Sequence, residues 1–469
     1  LQGLKKTEGE NNSLQSFLIL NCYTSMQNWG IMKAVTLIQK SFLLLLLVVL
    51  ILSCREQEPV DPLAEEERLR KLIKEKIVEV MDDFYFWREN IPSGVNPANF
   101  SSYQALVDAM LYKPIDVWSY ITSREEFDAL TRQGTFAGHG YIQSIDAEGN
   151  LRVGAVFRGS PAEQAGFIRS TKILAINGQD AKQLIRTNSI AQAVGPREVG
   201  ITNNFTIEQP DGTVRTVSVS KAIVTQNTVM HHQIFELSGK KIGYLVFMGF
   251  REPSIAELQP VFQQFQSANI TDLILDLRYN GGGFVNVAEY MAGVIAPAAA
   301  NGQILARYAF NERQRNREEI VRIPSGSIKL NLNNLIALTG PSTASASELL
   351  INGLSPFMNV KLVGERTGGK PVGAFVISIA DQALVPITFK TVNSAGVGDY
   401  FDGMAVHKDA VDGLDRNWGD PEESKLKEAI YYIVNGNFRS EASARRTNPI
   451  YWQKNRMMLK GFQAEIGAF

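Results

Sequence analysis

Thr271-Asp272-Leu273-Ile274-Leu275-Asp276-Leu277 is followed, three residues on, by Gly281-Gly282-Gly283 and then by helically spaced apolar residues from Val285 to Ile295. A run that is apolar at nearly every position has no solvent face. It reads as a strand covered on both sides, the pattern of a buried parallel sheet. Before it stand a strand-like segment, Lys241–Met248, and a helical one, Ile255–Ala268. After it come a strand at Leu335–Leu338, a helix at Ser345–Leu354 and a strand at Val360–Val363. Strands alternating with helices predict an α/β core over residues 230–435.

Two segments of this core carry polar groups that packing alone does not require. Thr343-Ala344-Ser345-Ala346-Ser347-Glu348 opens a helix, and Gly364-Glu365-Arg366-Thr367-Gly368-Gly369-Lys370 follows a strand. Ser345 precedes Lys370 by 25 residues. A serine is a poor nucleophile until a base takes its proton. A lysine can be that base only where its surroundings draw its pKa well below about 10.4, by roughly three units or about 4 kcal/mol. The pair therefore points to a serine hydrolase that uses lysine where others use histidine. The plain structural readings are a capping box, Ser345-x-x-Glu348, and a solvated surface lysine. Capping and catalysis share a geometry, because a helix start sets free N–H groups beside an attacked carbonyl.

Other chemistries fit less well. The four histidines, His139, His231, His232 and His407, form neither an H-E-x-x-H nor a Cys-Cys-His pattern, which argues against zinc. No G-x-S-x-G elbow is present, although a Ser-His-Asp triad of scattered residues stays open. Gly364–Lys370 fits G-x-x-x-x-G-K, but Pro371 stands where a phosphate loop needs Ser or Thr, and the strand-like run Val372–Ile379 replaces the helix. Asn286 occupies the third glycine position of a dinucleotide turn. No metal and no cofactor is expected. Lys+Arg 47 against Asp+Glu 48 gives a net charge of −1, with nothing that calls for nucleic acid.

Residues 134–224 have a different character. Gly138-His139-Gly140-Tyr141 leads into a strand, Tyr141–Ile145, a turn at Asp146–Asn150 and a second strand, Leu151–Phe157. Ser160-Pro161-Ala162-Glu163-Gln164-Ala165-Gly166 starts a helix with proline in its first turn, and Lys172–Gly178 follows. This run resembles a PDZ domain, a β-rich module. The resemblance implies that Gly138, His139, Gly140 and Tyr141 offer backbone N–H groups to a peptide's C-terminal carboxylate, the peptide adding as a strand. His139 departs from the apolar residue usual at its position.

Upstream, Leu69, Leu72, Ile73, Ile77, Val80, Met81 and Phe84 recur at helical steps between Glu65 and Asn90, with Tyr85, Phe86 and Trp87 extending the apolar face. Further helices are predicted at Tyr103–Met110 and Arg124–Arg132, giving a small helical domain over 63–130. Residues 32–53 read as an export signal: Met32-Lys33 and Lys40 precede a 12-residue apolar run ending at Leu52, shorter than the roughly 20 residues of a spanning helix. Ile51-Leu52-Ser53-Cys54 resembles a bacterial lipobox, which implies a lipid on Cys54 and a place in the cell envelope, anchored to a membrane without crossing it. Residues 1–31 are read as upstream translation, 54–62 as a tether, and 436–469 as a basic, solvated tail. The cysteines are Cys22 and Cys54, so no disulfide framework is expected.

Leu275-Asp276-Leu277-Arg278-Tyr279-Asn280-Gly281-Gly282-Gly283, Thr343–Glu348 and Gly364–Lys370, in this order, resemble the C-terminal processing, or tail-specific, peptidases over roughly residues 134–435. The resemblance implies that Ser345 attacks the peptide carbonyl and Lys370 is the general base. It implies an oxyanion hole from the amide of Ala346 and that of Gly282 or Gly283. Many members carry a glutamine four residues after the lysine, where this chain has Ala374; Glu348 is a candidate to orient the lysine instead. Pro371 replaces the more usual glycine. The expected protein is an α/β protease core with a preceding PDZ-like domain and a small helical N-terminal domain. It acts on proteins or peptides, held by their C-termini. A catalytically silent PDZ scaffold is the alternative, disfavoured by intact Ser345 and Lys370. A small-ester hydrolase is disfavoured by the PDZ-like region.

Overall fold

The computed structural model describes residues 61–440. Cys54, the apolar run before it and the basic tail beyond Ser440 lie outside the described residues. The central sheet has six strands in the order Val229–Leu237, Lys240–Phe247, Asp272–Asp276, Asn334–Thr339, Asn359–Gly364 and Lys408–Asp409. The first pair is antiparallel and every later pair parallel. Each residue of Asp272–Asp276 is buried, as its unbroken apolar run requires.

Side-chain alternation divides this sheet between two cores. Leu273 and Leu275 join the helices Ser254–Ser267, Val285–Ile295 and Ala346–Leu354 on one face. Ile274, one residue out of phase, joins Ile336, Leu338 and the C-terminal helix Ser424–Asn435 on the other. A one-residue slip would exchange the faces of every side chain, so burial on both sides pins the register.

Residues 135–225 form a β-rich unit. Tyr141–Ile145, Leu151–Val156, Lys172–Ile176, Thr202–Glu208 and Val214–Ser220 make an antiparallel sheet, and Thr135–Gly138 pairs with Ala222–Thr225. Tyr141, Phe167 and Phe205 meet edge to face or tilted in its core. Tyr141–Ile145 and Val214–Ser220 are the sheet's two outer strands.

Several expectations need correction. The first helix runs Pro62–Phe84 and stops before Tyr85-Phe86-Trp87, because the Phe86 amide leaves the helix to donate to Ile387 O at 2.8 Å. The Tyr85 hydroxyl meanwhile donates to Asp116 at 2.8 Å. Leu69 and Leu72 stay about half exposed, since this helix's buried face begins at Ile73. Arg124–Asp128 is helical, but Ala129–Gln133 widens into a π turn. Val372–Ile379 is two strands in two sheets: Val372–Ala374 pairs with Ile387–Val392, and Ile377–Ile379 with Gln382–Val385. The N-terminal helices also pack against later segments of the chain. Ile77, Met81 and Leu106 share one core with Val372, Leu384 and Ile387.

An ion cluster gathers at the carboxyl end of the central strand. Arg278, just past the central strand, donates to Asp276 at 2.7 Å and to Asp412 and Glu423 at 2.8 Å each. Arg169 of the β-rich unit donates to the same Asp412 at 2.7 Å and lies 3.9 Å over the Trp418 ring. Burial pushes the Glu423 carboxyl up, but the charge and hydrogen bonds of Arg278 outweigh it and hold Glu423 at about 2, against an ordinary 4.5. A carboxylate held down in this way lends stability that is whole above pH 4.5 and drains away as the pH falls toward 2. For Glu423 the contribution is on the order of 3 kcal/mol. Unfolding free energy should therefore fall steeply across that window. In Glu423→Gln, less stable near neutrality, the fall should be shallower. Parallel slopes in wild type and variant, measured by denaturant titration at a series of pH values, would refute the assignment.

Candidate active site

Three loops leave the carboxyl ends of three neighbouring parallel strands and converge. Ligand sites in open α/β sheets lie at this end. The first loop, after Asp272–Asp276, holds Asn280 and the glycine turn. The second, after Asn334–Thr339, ends at Ser345. The third, after Asn359–Gly364, ends at Lys370.

Ser345 has φ +56° and ψ −118° immediately before the helix Ala346–Leu354. Such a backbone costs a non-glycine residue roughly 1–3 kcal/mol and persists only where the surroundings enforce it. Here Asn280 and Thr343 enforce it from below. The Thr343 hydroxyl donates to Leu277 O at 2.8 Å, and the Ala344 amide to Asn280 O at 3.2 Å. Asn280 is fully buried, and its Nδ2 donates to Phe247 O at 3.0 Å.

From above the enforcement comes from Glu348. Its carboxylate accepts the Ser345 amide at 3.0 Å and the Lys370 amide at 2.8 Å on Oε2. On Oε1 it accepts the Gly369 amide at 2.7 Å and the Thr367 hydroxyl. The return half of the expected capping box is thus formed, and it reaches beyond its own helix. Burial pushes the Glu348 carboxyl up, against the opposing pull of these four donors. The candidate orienting role runs through the lysine's backbone amide. Gly368 adds a second strap, its amide donating to Thr343 O at 2.7 Å.

Ser345 and Lys370 line one cleft of about 120 Å³ together with Gly281, Gly282, Gly283 and Ala346. Lys370 is 9 % exposed. Gly282 (φ +104°) presses on the nucleophile: a Cβ there would fall 2.7 Å from Ser345 Cβ and 2.9 Å from the Ala346 nitrogen. At Gly283 (φ +136°) a Cβ would fall 2.1 Å from Phe250 O. The Gly282 amide is already donated to Asn280 Oδ1 at 2.9 Å, which narrows the two glycine candidates to Gly283. The Ala346 amide opens the helix's first turn, where N–H groups have no intrahelical carbonyl to meet. Ala374 also lines the cleft, and its methyl group supplies no polar partner for a lysine.

Gly138–Tyr141 lies in the β-rich unit, outside this cleft. Gly138 pairs with Ala222, and Gly140 takes φ +92° with its carbonyl accepting the Phe157 amide at 2.9 Å. His139 is 1 % exposed, and burial, with Lys221 nearby, lowers its pKa to about 4. It is a neutral ring packed 5.1 Å from Phe205. Asn280 and Thr367 were missed as site residues, although both stand inside the segments that drew attention. The available signal was an asparagine directly before the glycine turn at the end of a buried strand.

A strained serine and a buried lysine thus line one cleft beside a glycine turn and a helix start. The model of Peptidase family S41 matches residues 241–411, and that of the Peptidase S41 N-terminal domain matches residues 73–120. A carboxyl-terminal-processing protease of Picosynechococcus is 30% identical over 291 residues, covering 61% of this chain and 67% of that protein. The carboxy-terminal processing protease CtpA of Bacillus subtilis is 24% identical over 311 residues, covering 65% and 61% respectively. A solved structure, a putative S41 protease from Bacteroides fragilis, matches with a TM-score of 0.61 at 24% identity, over 78% of this chain and 97% of that one. The chain belongs to peptidase family S41, the C-terminal processing serine proteases.

The Glu348 clamp yields a direct test. In Glu348→Gln the side-chain amide must turn its own donors toward one pair of the donors it now accepts. Two buried N–H or O–H groups then lose their acceptor, at about 1–3 kcal/mol each. Denaturant unfolding should show a loss on the order of 2–6 kcal/mol, and peptide hydrolysis should fall with it. Wild-type stability in the variant would remove Glu348 from this role.

Proposed function

We propose that this protein is an exported serine endopeptidase of the C-terminal processing type, with Ser345 as nucleophile and Lys370 as general base. The observation that supports the reading is the Glu348 carboxylate, which accepts the backbone amides of both residues and so ties their two segments together. The base must enter unprotonated. Lys370 Nζ takes the Ser345 hydroxyl proton as Oγ attacks the substrate carbonyl carbon. The resulting oxyanion meets the amides of Ala346 and Gly283, donors already aimed at developing charge. Collapse of the tetrahedral species breaks the C–N bond, and the Lys370 ammonium returns its proton to the leaving amine. A water then attacks the acyl-serine, giving its proton to Lys370. The product acid leaves with that water's oxygen, and Ser345 recovers its hydrogen.

The β-rich unit is read as a PDZ domain. Its support is an outer strand, Tyr141–Ile145, directly after the Gly138–Tyr141 turn. An incoming chain end can add beside that strand, with its carboxylate on the turn's amides. On the same reading a lipid on Cys54 holds the enzyme at a bacterial membrane surface. An unmodified Cys54 thiol in the mature protein, read by mass spectrometry, would overturn that part.

One assay with an unstructured protein substrate tests both halves of the site. Ser345→Ala and Lys370→Ala should each abolish cleavage, and the double variant should be little worse than either, because the pair acts as a unit. Amidating the substrate's C-terminus should weaken its binding by about 1.5–3 kcal/mol, the worth of one charge-assisted hydrogen bond. Turnover by purified Ser345→Ala would sink the nucleophile. Equal binding of acid and amide forms would sink carboxylate capture.

A further inference from the structure

The side chains of the outer strand Tyr141–Ile145 alternate between two cores. Ile142 packs with Phe136 and Phe157 on one side. Tyr141 and Ile145 turn to the other, the core of the β-rich unit, and alternation puts Gln143 between them on that face. The His139 ring joins the same face, 5.1 Å from Phe205. Asn203 is buried two residues before Phe205 on the strand Thr202–Glu208 and stands beside the imidazole. This face carries a row of polar atoms with nothing to bond. Both His139 ring nitrogens, the Tyr141 hydroxyl, Gln143 Oε1 and Asn203 Oδ1 are closed off from solvent and make no hydrogen bond. His139, Tyr141 and Asn203 are 1 %, 0 % and 4 % exposed. Asn203 Nδ2 is donated to Ala193 O at 3.4 Å, which leaves its oxygen as the unused end.

Buried polar atoms are nearly always paired, so a row of unpaired ones calls for a missing partner. We propose that this row is a side-chain subsite for the substrate's tail, selecting ends whose last and third-last residues carry uncharged hydrogen-bond donors: serine, threonine, asparagine or glutamine. This rests on the reading of Gly138–Tyr141 as a carboxylate site and adds to it which tails are accepted. A tail added antiparallel to Tyr141–Ile145, with its carboxylate on the turn, sends alternate side chains to one face. The last lies beside His139, Tyr141 and Asn203, and the third-last beside Gln143. Two side-chain carbonyl oxygens in the row need a donor, which an acidic side chain lacks. A basic one is opposed by Lys221, a buried cation near His139 whose Nζ is already spent on the carbonyls of Val194, Gly195 and Pro196. Leu184 and Val194, from the helices Ala181–Arg186 and Ile190–Val194, cover this face. An entering side chain parts that cover, and elements of six and five residues are of the kind that open locally.

The test measures binding of unstructured peptides to the full chain carrying Ser345→Ala, so that nothing is cut. The peptides differ only in the last or third-last residue, in pairs of matched size: threonine against valine, and asparagine against leucine. Each is made as free acid and as amide. At the last position the polar member should bind tighter by about fivefold to a hundredfold, the cost of leaving one buried polar group unpaired. His139→Leu should reverse that preference in favour of the apolar member. Asn203→Leu should do the same, and serves where His139→Leu does not fold. Because each ratio is taken within one variant, a general loss of affinity cancels. Equal binding within both pairs, while free acids still outbind amides, overturns the subsite and leaves the row to buried water, with the carboxylate reading intact. A polar preference that survives both variants also overturns it. Failure of the underlying reading looks different: acids and amides would then bind alike whatever their last residue.

Discussion

The active end of this molecule depends on one buried carboxylate. Glu348 receives donors from its own helix start and from the lysine loop, 19 to 22 residues away in sequence. Its length matters, because an aspartate on the same turn would fall a methylene short of the second loop. Its two oxygens matter too, since four donors need about four lone-pair directions, which a carboxylate supplies and an amide does not. The strained backbone at Ser345 is held by the same bonds that set the distance between serine and lysine segments. A charge that burial disfavours is retained here for the geometry it imposes.

Beneath the clamp, the parallel sheet supplies the origin of all three loops. Asp276 ends one strand and receives Arg278, which in turn holds Asp412 and Glu423. Two residues further on, Asn280 reaches back to Phe247 on the neighbouring strand and forward to Gly282. The glycine turn is therefore fastened at its root by charges and at its crest by an amide side chain. The third loop has its own anchor, Lys425 of the C-terminal helix, which donates to Glu365 at 3.1 Å and to Thr339 O at 2.8 Å.

Much of this was legible in the residues. The continuous apolar run at Thr271–Leu277 has one physical solution, a strand covered on both faces, and the structure places it at the sheet's centre. The alternation around it was equally plain. The reach of Glu348 was not, because a capping box is a local pattern and says nothing about a partner 22 residues on. The split of Val372–Ile379 between two sheets was invisible for a related reason: periodicity reports burial and cannot say against which neighbour. The early end of the first helix at Phe84 came from a hydrogen bond to Ile387, some 300 residues downstream, against the local propensity of Tyr85-Phe86-Trp87. In each case long-range pairing overrode a short-range signal.

That distant partnership has a bearing on when the enzyme becomes competent. Ile77, Met81 and Leu106 complete their core only with Val372, Leu384 and Ile387, and Val372 stands two residues from Lys370. Contacts of such sequence separation form late, since a long loop must close before they are rewarded. During synthesis the serine and lysine segments can both be present while the wall behind the lysine is still missing. A chain that has not yet brought Ile77, Met81 and Leu106 onto Val372, Leu384 and Ile387 is a protease in composition only, and the order of the fold delays hydrolysis until that core closes.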